Sequence, residues 1–169
     1  MFTKPYRNVA LLSAAAFTLI AAVAWTPAVA QSTQAADTPE NYTIQVGILG
    51  YSPVSYFTEG EAQPGSPKYT ATHDGVTYFF TSAEQVDLFN ANPHKYVPAY
   101  GGWCAFGAAV ENHFPISPES FKIVDGRLML FLHNDEADAL ELWNGKDEAQ
   151  MVRQADAFWK RAHGGRAGG

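Results

Sequence analysis

YTATHDGVTYFFTSAEQVDLFNANPHKY, Tyr69 to Tyr96, decides the fold of this chain. Its Asp74-Gly75 dipeptide sits between two alternating stretches. A type I′ hairpin turn needs positive φ at both central positions, which Asp tolerates and Gly adopts freely. Tyr69, Ala71 and His73 lie on one side of the outgoing strand, and Val76, Tyr78 and Phe80 alternate on the returning one. Ser82-Ala83-Glu84-Gln85 then forms a capping box: Ser82 can accept from the Gln85 amide while Gln85 reaches back. Val86 and Phe89 follow at helical spacing, and Asn92-Pro93 ends the helix. The unit is strand, turn, strand, helix.

Downstream the same grammar returns. SFKIVDGRLMLFLHNDEADALELW, Ser120 to Trp143, carries Asp125-Gly126 as its turn, 51 residues after Asp74 (125 − 74), and Phe131 falls under Phe80 at the same offset. Asn134 or Asp135 is the expected helix cap, with Leu140 and Trp143 on the apolar face. Two such units sharing one small mixed or antiparallel sheet are expected, an α+β fold. Duplication and convergence on a common hairpin grammar explain the spacing equally well. A last helix opens at Asp147, and Met151, Val152, Ala155, Phe158, Trp159 and Ala162 form its apolar stripe. Lys160 and Arg161 in its last turn suit the helix dipole, and Gly164-Gly165 closes it.

Ahead of the hairpin, alternation at Ile44, Val46 and Ile48 predicts a strand, and Pro53 in GYSPVSYF keeps Gly50 to Phe57 out of a central strand. Between the two units, YGGWCAF contains Gly101-Gly102, and Cys104 to Val110 is compatible with a short helix or a buried strand.

The first 30 residues follow another logic. Lys4 and Arg7 precede an uncharged Ala- and Leu-rich run, Val9 to Trp25, and Ala28-Val29-Ala30 is a small-residue cleavage pattern, so residues 1–30 are expected to be a cleaved signal peptide. A periplasmic or secreted location follows, with no stable membrane anchor after cleavage. Residues 31–41 are expected to be a linker, 42–163 the domain, and 164–169 a disordered tail.

The chain has 169 residues with 47% apolar content, enough for one core-bearing domain. Its formal net charge is −6, and loss of the leader's two basic residues gives −8 (−6 − 2). Such a body repels phosphate backbones, which argues against nucleic-acid binding. Cys104 is the single cysteine, so no intramolecular disulfide can form and the core must carry stability.

Tyr69, His73 and Ser82, followed by LFNANPHKY, resemble the signature of YHS-domain proteins. GYSPV, YGGWCAF and the final ADAFW resemble the small exported branch, and together these stretches cover most of Gly50 to Ala162. The resemblance implies an association with copper, zinc or other heavy metals, which YHS domains elsewhere are thought to handle through cysteines. Here the corresponding positions are Ser55, Thr81 and Gln85, leaving His73 and Cys104 as the candidate metal ligands.

Three functions stay open from the residues. His73 could ligate a metal or exchange protons, or simply hold its turn. Cys104 could be a ligand, a nucleophile, or a small buried hydrophobe. Tyr51, Tyr78, Tyr100 and Trp103 are candidates for an aromatic ligand pocket, aromatics at such spacings being core by default. The leading reading is a non-catalytic module that binds copper or zinc through His73 and Cys104; the alternatives are a small-ligand or protein-interaction module with a structural Cys104, and a thiol enzyme. His94, His113, His133 and His163 show no metal-ligand spacing, and Glu136, Asp138 and Glu141 read as a solvated helix face.

Overall fold

A computed structural model describes residues 45–164 of the chain. The expected leader, linker, Ile44 and most of the C-terminal tail lie outside the described residues. No helix among the described residues is long and apolar enough to cross a membrane.

The fold is α+β. Strand β1 (Ser66–His73) pairs antiparallel with β2 (Val76–Phe80), and β3 (Ser117–Val124) pairs likewise with β4 (Arg127–Phe131). Both turns are built as their sequences dictate: Asp74 and Asp125 have φ of 48° and 50°, followed by Gly75 and Gly126 at 79° and 75°. The hairpins form two separate two-stranded ladders rather than the single sheet that was expected. Each instead gains a one-residue parallel bridge from an upstream segment, Val46 to Thr77 in the first half and Pro98 to Leu128 in the second.

Six helices accompany the strands among the described residues: α1 (Ser55–Thr58), α2 (Ala83–Ala91), α3 (Pro93–Tyr96), α4 (Ala105–Ala109), α5 (Ala139–Asn144) and α6 (Glu148–His163). Ser82 caps α2, its Oγ accepting from the Gln85 amide at 3.3 Å. Gln85 reaches back one residue further than a capping box requires, because its Oε1 accepts from the Thr81 N–H (3.1 Å) and from the buried Ser52 hydroxyl (2.7 Å). α5 begins later than its sequence suggested. Asp138, not Asn134 or Asp135, is its cap and accepts from the Leu140 and Glu141 amides, both at 3.0 Å. Asn134 Oδ1 is occupied by the Glu136 and Ala137 amides, which fold a turn ahead of the helix. Asp147 caps α6, and Gly164 ends it in the left-handed conformation.

The two halves repeat one architecture in detail. The hairpin ladders have the same register, and each is interrupted at the same place, between Ser66 and Thr70 in one and Ser117 and Phe121 in the other. The Ser52 amide donates to the Gln63 carbonyl (2.9 Å) as the Cys104 amide does to the Phe114 carbonyl (3.1 Å). A short helix follows in both halves, α1 after Ser52 and α4 after Cys104. Of the two forms open to Cys104 to Val110 the helix is the one adopted, over Ala105–Ala109 with Cys104 and Val110 as its caps.

Two packed cores result. Val54, Phe80 and Phe89 anchor the first, and Cys104, Phe131 and Trp143 anchor the second, all of them completely buried. Each large side chain so buried contributes ~1.5–3 kcal/mol. From α6, Met151 and Ala155 enter the second core, with Val152, Phe158 and Trp159 partly buried against it.

Candidate ligand-binding cleft

Where a strand was expected around Ile48, the chain makes a left-handed turn. Ile48 (φ 50°, ψ 37°) and Leu49 (φ 52°, ψ 27°) both lie in the αL region, followed by Gly50 at φ 89°. The second half makes the same turn 52 residues on (100 − 48), with Tyr100 (φ 53°, ψ 35°), Gly101 (φ 60°, ψ 21°) and Gly102 (φ 82°). Each is closed by one backbone bond, Tyr51 N–H to Ile48 O at 3.0 Å and Trp103 N–H to Tyr100 O at 3.1 Å. Alternation of apolar residues could not distinguish this turn from a strand.

A left-handed conformation costs an L-residue ~1–2 kcal/mol. Ile48 and Tyr100 offset that cost by burial, Ile48 in the first core and Tyr100 in the second. The Tyr100 hydroxyl also donates to Asp156 Oδ1 (2.9 Å), and the Arg127 guanidinium lies 5.2 Å from its ring centre while pairing with the same carboxylate.

Between the two turns lies an open cleft of about 250 Å³. Gln45 to Leu49, Val76 and Tyr78 line it from the first half, and Pro98, Gly101 to Trp103 and Ile116 from the second. Gly47 sits so close to the Tyr78 ring that a Cβ there would collide with it. Trp103 is 43% exposed, with its ring set edge-on to His113 at 5.2 Å. Val46, Leu49 and Trp103 are all large exposed apolar side chains, and all three line this one cleft. Among the described residues, the only titratable side chain in the lining is Tyr78. Burial, reinforced by the charge of Asp74, pushes its phenol up to about 12. The described lining therefore carries no ionised group at neutral pH, and it favours apolar, uncharged surface.

Of the four aromatic candidates, Tyr78 and Trp103 line the cleft and Tyr51 and Tyr100 do not. Tyr51 turns away to hydrogen-bond Glu119, and Tyr100 is committed to Asp156. Val46, Leu49, Pro98 and Ile116 were not among the site candidates read from sequence, where Val46 was placed in the expected strand. One signal was present: Gly50-Tyr51-Ser52 and Gly102-Trp103-Cys104 share a Gly-aromatic-small pattern 52 residues apart (102 − 50), the spacing of the two turns.

His73 and Cys104 occupy different surroundings. The His73 ring meets His94 (5.0 Å) and Phe89 (6.2 Å) edge-on, its Nε2 is buried without a hydrogen bond, and Asp74 Oδ2 stands 3.7 Å from that nitrogen. Cys104 is fully buried in the second core, where its sulfur accepts from the Leu132 N–H at 3.4 Å. Among the described residues, no group of three or more His, Cys, Asp or Glu side chains is arranged to hold a metal ion.

Ser55, Thr81 and Gln85 do come together. Gln85 Oε1 accepts from Ser52 and Thr81, its Nε2 donates to Glu59 (3.3 Å), and the Ser55 hydroxyl donates to the Ser52 carbonyl (2.9 Å). They form a hydrogen-bonded knot around Gln85 that reaches the Glu59 carboxylate. No family model, curated protein or solved structure matches this chain.

Proposed function

We propose that this chain is an exported, non-catalytic binding module of YHS type whose cleft takes a small, uncharged, largely apolar organic molecule. The observation that carries the reading is the convergence of Val46, Leu49 and Trp103, exposed on a single cleft lined by two strained turns. Exposed apolar side chains scattered singly need no explanation, but a cluster around a concavity marks a binding surface. Backbone strain concentrates at ligand clamps for a related reason: it persists only where the surroundings enforce it. The volume suits a molecule of about ten heavy atoms, near the small end of ligand pockets. A structural role for Cys104 accords with its burial and its Leu132 partner. Metal binding through His73 and Cys104 draws no comparable support, since the two side chains pack among different neighbours.

Titration of the protein with indole, followed by two-dimensional amide NMR, tests this. Saturable shifts are expected at Gly101, Gly102, Tyr78 and the Trp103 indole N–H, with affinity reduced roughly tenfold or more in Trp103→Ala, as the loss of one apolar wall implies. Shifts that are absent, or scattered over the surface, would refute the cleft. Stoichiometric zinc or copper binding in equilibrium dialysis, abolished by Cys104→Ser, would favour a metal module instead.

A further inference from the structure

The two left-handed turns differ at one informative position. Leu49 in the first half corresponds to Gly101 in the second, and both adopt nearly the same backbone angles. Glycine occupies that region without strain, and leucine does not. Ile48 and Tyr100 have burial to offset the strain, whereas Leu49 is 69% exposed and gains little from the fold. The second turn shows that this backbone forms without a side chain there. Leu49 is thus a residue the architecture neither needs nor rewards, placed in the lining of the cleft with Trp103 facing the same space from the other half.

We infer that Leu49 is the specificity-determining residue of the cleft, and that the ligand is a flat, uncharged aromatic molecule held between Leu49 and Trp103. This rests on the binding role proposed above. Three features set the ligand's class: the Trp103 ring offers a flat apolar surface, the lining among the described residues has no ionised group, and the volume of about 250 Å³ matches a small organic molecule. A bound aromatic would cover Leu49, giving its strained placement the apolar burial that the free protein lacks.

The test compares Leu49→Gly, Leu49→Met and Trp103→Ala for binding of indole and of cyclohexanol, an uncharged but non-planar control, by the same NMR titration and with thermal melts alongside. Wild type is expected to prefer indole. Leu49→Gly is expected to melt no lower than wild type and to lose roughly tenfold in indole affinity. Leu49→Met is expected to keep most of that affinity. Equal indole binding by wild type and Leu49→Gly, or no preference over cyclohexanol, would overturn the inference while leaving the cleft intact as a site. A clearly lower melting temperature for Leu49→Gly would also overturn it, by showing that the fold itself holds the side chain. No binding of either probe by wild type would remove the cleft and the inference together. Cleft shifts on concentrating the protein alone, with a doubled mass, would assign the surface to a second copy and overturn both.

Discussion

Replacing Gln85 by Met isolates the worth of the polar knot beneath α2. Methionine nearly conserves volume and helix propensity, so neither a cavity nor a weaker helix confuses the result. The substitution deletes an acceptor that serves two donors, the fully buried Ser52 hydroxyl at 2.7 Å and the Thr81 amide at 3.1 Å, together with the weaker Nε2 bond to Glu59 at 3.3 Å. The two orphaned donors cost ~1–3 kcal/mol each, and the apolar methionine regains about 1 by burial, leaving a net loss of ~1–5 kcal/mol. Part of that loss is conditional on Ser52. In a Ser52→Ala, Gln85→Met double mutant the hydroxyl no longer needs an acceptor, so the combined loss should fall short of the sum by about 1 kcal/mol. Urea denaturation followed by circular dichroism measures all three variants. A loss below ~0.5 kcal/mol for Gln85→Met, or strict additivity of the pair, would refute the account of these side chains as a mutually dependent network.

Two further outcomes follow from burial. Desolvation raises the phenols of Tyr56 and Tyr100 well above their usual value of 10.0, and that of Tyr78 to about 12. The unfolded chain releases these protons near pH 10 and the folded one does not. Their contribution to stability is therefore intact below that pH and is lost progressively as pH climbs above about 10, the Tyr78 share being gone by about 12. Phenolate absorbance should rise together with loss of structure, and free titration of these tyrosines near pH 10 in a folded protein would contradict it. Cys104, fully buried with its sulfur on the Leu132 amide, should resist maleimide until denaturant is added. Rapid labelling of the native protein would instead reopen a reactive role for the thiol.

Much of the frame was legible because it is written locally. Asp74-Gly75 and Asp125-Gly126 announce their turns in two residues, Ser82 announces α2, and the stripe from Met151 to Ala162 announces α6. Illegible features were those decided at long range. Nothing local marks Ile48, Leu49 or Tyr100 for positive φ, since none of these residue types favours it; their conformation is imposed by what the neighbouring side chains pack against. The site was half legible for the same reason. Aromatics could be gathered by composition, but only the tertiary fold sends Tyr78 and Trp103 to the cleft while turning Tyr51 to Glu119 and Tyr100 to Asp156. α5 was misplaced because Asn134 has two good local uses, and the turn took it before the helix could.

Strand β4 has a role that its twin does not. Leu128 and Leu130 point into the first core, and Met129 and Phe131 into the second, so one five-residue strand is the partition shared by both. All four side chains are completely buried. The repeat is therefore structural without being modular. A chain severed between the halves would strip the first core of two leucines that only the second half can supply. Loosening either core releases the wall of the other, and the molecule is built to unfold in one cooperative step despite its duplicated plan.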